Sequence, residues 1–133
     1  MIDYPEKILL AFGETFSDND QIFNWLLNNG YPELAALSSS MRGSEEATKW
    51  LLNNGYPHFA AFDLAVDGKK EAYEWLIKHD YNFLIIFTDA CLKKPEAINW
   101  LRQNNLEIFI RLADKITFFR HNQTFNIYKK RFN

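Results

Sequence analysis

The chain has 133 residues, 47% hydrophobic, 17% aromatic and 24% charged, a balance that excludes a disordered or fibrous chain and fits one domain with a continuous core. The net charge of −2 hides an asymmetry: residues 1–110 carry 9 Lys+Arg against 16 Asp+Glu, and residues 111–133 carry 6 against 1. One cysteine, Cys91, allows no internal disulfide and favours a reducing compartment; the start Met1 to Lys7 has no secretory pattern, and the longest apolar run, Phe83 to Phe87, is too short for a membrane span. The expected location is cytoplasmic, with no membrane partner.

An internal repeat organises the rest. Trp25-Leu26-Leu27-Asn28-Asn29-Gly30-Tyr31-Pro32 recurs letter for letter as Trp50-Leu51-Leu52-Asn53-Asn54-Gly55-Tyr56-Pro57, and Trp75 and Trp100 keep the spacing of 25. Each unit reads as two short helices, A then B. In the degenerate first unit, residues 4–30, Leu9, Ala11, Phe12, Thr15 and Phe16 fill helix A; Asn19 is the N-cap of helix B, ahead of Ile22 and Trp25. In residues 31–55, Pro32 suits the first turn of helix A and Leu34, Ala36, Leu37 and Met41 form its apolar stripe. Gly43 suits the left-handed position after the helix, Ser44 caps helix B, and helix B runs from Glu45 to about Asn53. Residues 56–80 repeat this with Phe59, Ala61, Phe62, Ala65 and Val66, then Ala72, Trp75 and Leu76. Residues 81–105 carry Leu84, Ile86, Phe87, Ala90 and Cys91, then Pro95, Ala97, Trp100 and Leu101. In the capping unit, residues 106–133, Phe109, Leu112 and Ile116 continue helix A, Arg111 replaces the alanines, and Phe125 takes the Trp column.

The expected fold is all-α: a short α-solenoid (an α/α superhelix) of about five helix pairs in a single domain, 1–133, with a 25-residue period. Short helices gain stability mainly by packing. The Trp column is expected to anchor the core, at roughly 3–5 kcal/mol per truncation. Alanines 36, 47, 61, 72 and 97 are expected to let helices approach closely.

The segment Pro57-His58-Phe59-Ala60-Ala61 to Gly68, followed by Glu71-Ala72-Tyr73-Glu74-Trp75-Leu76-Ile77, resembles the helix–turn–helix of an ankyrin repeat. Gly55 runs straight into Tyr56-Pro57, so the β-hairpin finger of that family is missing, and Pro57-His58 matches its Thr-Pro-Leu-His opening only in part. The resemblance covers most of residues 5–120. It implies stacked helix pairs, without the surface that ankyrin repeats commonly use for binding.

Enzymatic signals are thin. His58, His79 and His121 fall at different repeat positions, no metal-ligand spacing occurs, Cys91 lies in a core column, and no glycine-rich phosphate loop is present. No catalytic residue, metal or cofactor is expected. Two surfaces are candidates for binding. The first is a helix A face, Ser38, Asp63 and Thr88 with Ser39, Leu64 and Asp89 and with Arg42, Asp67 and Leu92, whose chemistry changes from unit to unit as on a ligand-facing solenoid surface. Its expected partner is another protein. The second is the tail, where Arg120, Lys129, Lys130 and Arg131 alternate with aromatics; it reads either as a cap or as a nucleic-acid contact, charge on phosphate and rings on bases. Pairing of the basic tail with the acidic body, within the chain or with a second copy, is the third expectation.

Overall fold

The computed structural model describes the backbone of residues 1–132 and the side chains of residues 1–122. The helices are α1 (Glu6–Glu14), α2 (Asp20–Asn28), α3 (Pro32–Met41), α4 (Glu45–Asn53), α5 (Pro57–Val66), α6 (Lys70–Lys78), α7 (Asn82–Cys91), α8 (Pro95–Gln103) and α9 (Glu107–Phe132), with a 3₁₀ turn at Thr15–Ser17 after α1. The odd-numbered helices take the A position and the even-numbered ones the B position. Pro32, Pro57 and Pro95 open their helices, and Asn19 and Ser44 accept amide hydrogen bonds from Ile22 and Ala47 at 3.2 Å.

Each linker turns through one left-handed residue: Asp18, Gly43, Gly68 and Lys93 from A to B, and Gly30, Gly55, Asp80 and Asn105 from B to A. The residue after each B-to-A turn donates back into the helix, as Tyr56 N–H does to Leu51 O at 2.8 Å. The corresponding position of the fifth unit is Phe118, part of the unbroken α9. The left-handed turn is costly for any residue with a β-carbon; Asp18 and Lys93 bear that cost at this position, whereas at Phe118 the chain stays helical. The last unit is therefore one long helix instead of the expected pair; the side chain of Phe125 lies outside the described residues.

The A helices pack in sequence, α1 on α3, α3 on α5, α5 on α7 and α7 on α9, and α9 also packs on α1. The stack closes on itself. The seam is tight at Gly13, where a β-carbon would lie 2.8 Å from Leu112 Cδ2. Lys115 Nζ meets Glu14 Oε1 at 3.0 Å, and Phe16 stacks edge-on with Phe119 at 5.9 Å. Inside lie Phe12, Leu37, Phe62, Phe87 and Leu112, one per unit and all buried.

The B helices lie outside this circuit, and among the described residues no B helix packs on another. Each sends one fully buried leucine inward: Leu26, Leu51, Leu76 and Leu101 are 0% exposed. The expectation that tryptophan anchors the core is corrected here. Trp25 is 47% exposed, Trp100 37%, and Trp50 and Trp75 are half-buried. A residue one place before the buried leucine is turned by about 100° on an α-helix. The indoles therefore lie on the outer rim, where Trp25, Trp50 and Trp75 stack on Tyr31, Tyr56 and Tyr81 with planes within 18°, 11° and 9° of parallel.

Candidate functional site: a groove between the outer helices

The structure splits the helix A face expected from the sequence. Ser38, Asp63 and Thr88 are buried, because the closed circuit turns their column toward the neighbouring A helices. Each is satisfied inside. Ser38 Oγ donates to Thr15 Oγ1 at 2.7 Å, and Thr88 Oγ1 donates to Leu84 O at 2.7 Å. Asp63 accepts from Ser40 Oγ at 2.7 Å and pairs with Arg120 at 2.5 Å. Small and hydrogen-bonded, these side chains serve packing between units, and they are unavailable as an outward binding column.

The other members scatter. Ser39 is half-buried. Arg42 lies 5.2 Å over the Phe23 ring. Asp67 joins Asp63 in holding Arg120. Asp89 accepts from Tyr73 OH at 3.0 Å and pairs with Lys94 at 3.2 Å. This bond holds the Lys94 ammonium above its ordinary pKa, while burial and Asp89 raise that of Tyr73. Leu64 and Leu92 are each 42% exposed.

In the tail, Arg120 is bound within the chain, tying α9 to α5. Lys129, Lys130 and Arg131 lie outside the residues whose side chains are described. His58 stacks on Tyr81 at 4.8 Å, and burial holds its pKa below the usual value. His79 stacks on Trp75, and His121 is exposed on α9. Among the described residues no group of three or more His, Cys, Asp or Glu is arranged to hold a metal ion, and no helix is long and apolar enough to cross a membrane.

One concave apolar surface stands out. Because α4 and α6 do not touch, a groove of about 500 Å³ opens between them. Its floor is α5, through Pro57, Ala60, Ala61 and Leu64; its walls are Thr48 and Leu52 on one side and Ala72 and Trp75 on the other, with Lys69 and Glu71 at the rim. Residue size explains why it opens here. In the repeat register, Thr48 stands where the flanking units have Phe23 and Tyr73. Thr48 Oγ1 bonds back to Ser40 Oγ at 2.7 Å and to Ser44 O at 3.2 Å, which ties its hydroxyl to the α3–α4 turn. Between α6 and α8 the corresponding floor carries Ile85 and Ile86, with Tyr73, Asp89 and Lys94 clasped across it. Between α2 and α4 the Arg42–Phe23 contact lies in the matching place.

Of the binding candidates read from the sequence, only Leu64 lines this groove. Trp75, expected to anchor the core, lines it as well, as does Leu52, 53% exposed. The signal for them was present: Trp50-Leu51-Leu52 spans more than half a helical turn, and three consecutive apolar residues cannot all face one core. Compared with protein-family models, with curated proteins and with solved structures, the chain matches none.

Proposed function

We propose that the chain is a non-catalytic protein-binding scaffold of the α-repeat kind, docking its partner along the groove between α4 and α6. The observation that carries this reading is the alignment of apolar side chains left in water on the outer helices. Leu27, Leu52 and Ile77 recur at one repeat position and are 46%, 53% and 51% exposed, with Leu64 and Trp75 beside Leu52. Clustered exposed apolar groups mark partner surfaces. The helix-pair grammar supports an ankyrin-like ancestry without the finger, and a lone cysteine that is buried fits a cytoplasmic setting.

Leu52→Asp together with Leu64→Asp tests the proposal. Both side chains are exposed, so the fold should hold, with stability changed by about 0.5 kcal/mol or less per site. Expected is loss of the proteins that the wild type captures from extracts of its own cells, with circular dichroism unchanged. An identical captured set would place the docking surface elsewhere. Nucleic-acid binding through the tail is the alternative. Arg120 is already engaged by Asp63 and Asp67, which weakens that reading, and a salt titration with short DNA and RNA decides it.

A further inference from the structure

We infer that the grooved face is a two-fold interface between two copies of this chain, with α4 of each copy lying on α6 of the other. This rests on the groove being a protein-docking surface, as proposed above, and names its occupant.

The first observation is a helix start that breaks local rules. Lys69 holds the N-cap position of α6 with no side-chain hydrogen bond to the backbone, and Lys70 follows as the first helical residue. Cations at a helix N-terminus oppose the helix dipole. α2 starts instead with an Asn19 cap and Asp20, and α4 with a Ser44 cap, Glu45 and Glu46; in α8, Lys94 is paired with Asp89. Lys70 reaches Glu74 at 3.9 Å, with the two side chains 84% and 61% exposed, a geometry of little energetic weight. The monomer thus places two cations where its own helix disfavours them.

The second observation is that the complement to these cations lies one repeat upstream. Turn by turn, α4 carries Glu45 and Glu46, then Lys49, then Leu52; α6 carries Lys69 and Lys70, then Glu74, then Ile77. At the repeat spacing Glu45 corresponds to Lys70 and Lys49 to Glu74, opposite in sign, and Leu52 corresponds to Ile77, apolar and exposed in both helices. Because the A circuit closes, equivalent residues of neighbouring units stand at matching heights. A two-fold axis along the groove lays α4 parallel to the partner's α6. It then sets Glu45 against Lys70, with Lys69 beside it at the level of Ser44, Lys49 against Glu74 and Leu52 against Ile77, each twice. The apolar register selects this arrangement. Pairing α4 antiparallel with its own copy would match Glu45 to Lys49 but leave Leu52 beyond the start of the partner's helix. Glu71 is the exception to the pattern: it stands at the level of Glu46, acid against acid.

Charge reversal with crossed rescue tests the inference. Lys69→Glu with Lys70→Glu makes both faces acidic, and Glu45→Lys with Glu46→Lys makes both basic. By sedimentation equilibrium the wild type should dimerise, weakening as salt rises, and each variant should associate at least about tenfold more weakly. An equimolar mixture of the two variants should recover the wild-type dimer. The acidic variant should also melt higher than the wild-type monomer, because its α6 now starts with acids, so its loss of association cannot come from unfolding. A wild type that stays monomeric to about 1 mM, the weak end of measurable affinity, would overturn the inference, as would variants that associate normally or a mixture that does not. Failure here leaves the groove open to a different protein. That reading stands or falls separately, on capture by the Leu52→Asp, Leu64→Asp variant.

Discussion

At the scale of single residues, the repeated phrase divides its labour between neighbours. Leu26 is 0% exposed and Trp25 is 47% exposed, although both recur in each of the first four units. Removing Leu26 to Cγ and beyond leaves a cavity under α2 that the surrounding helices cannot fill, so Leu26→Ala should cost about 2–5 kcal/mol. Trp25→Ala opens no cavity, because one side of the indole is already in water. It removes the stacking on Tyr31 and part of the burial, about 1–2 kcal/mol from the aromatic contact and the lost area. Urea unfolding of the two variants checks the order, and a tryptophan variant that costs as much as the leucine variant would return Trp25 to the core. The sequence alone favours the tryptophan because it is the larger side chain at the same period. Which of two adjacent apolar residues turns inward is set by how the B helices lie on the A circuit, a tertiary fact that a period of 25 does not encode.

At the scale of the element, local chemistry was enough. Pro32, Ser44 and Gly43 mark starts and stops through backbone rules that need no tertiary context, and the helices begin and end there. One boundary escapes these rules: Phe118 stands at the position of Gly43 and Gly68, but Asp18 and Lys93 stand there too and still turn, so the missing glycine does not by itself give the single helix α9. Caps also expose a weakness. Asn19 and Ser44 cap α2 and α4, whereas α6 begins at Lys69 with no side-chain cap. Lys69→Ser installs the missing acceptor and removes a cation from the positive end of the dipole. The monomer should gain about 0.5–1.5 kcal/mol, read as a higher urea midpoint at unchanged slope. No gain would mean that the Lys69 side chain contributes something to the monomer that outweighs a cap. The same substitution should weaken self-association, which separates the two roles of this residue.

At the scale of the molecule, closure is the property that the sequence did not show. Contact between α1 and α9 joins the two ends of the chain, and nothing in one unit announces it. Closure is also why Ser38, Asp63 and Thr88, polar and variable, face inward: each finds its partner within its own helix or in another, and sequence distance hides those across units, as with Asp63 and Arg120. An open solenoid frays from its terminal units, which have a neighbour on one side only. Here every A helix has an A neighbour on both sides, so releasing one breaks two junctions and should approach global unfolding. Cys91 reports on this. It is 2% exposed at the end of α7, and burial pushes its thiol pKa up to about 12, so it cannot react while the circuit is intact. In dilute native buffer with excess thiol reagent, its labelling should be slower than in the unfolded chain by the full unfolding constant, about 10³-fold or more for a stability of 5 kcal/mol or above. Gly13→Val, which forces a branched side chain into the space of Leu112 at the α1–α9 seam, should uncouple the ends and speed labelling far more than it lowers the urea midpoint. Fast labelling of the wild type, well ahead of global unfolding, would mean that α9 leaves as a unit of its own and that the seam adds little to the coupling of the whole.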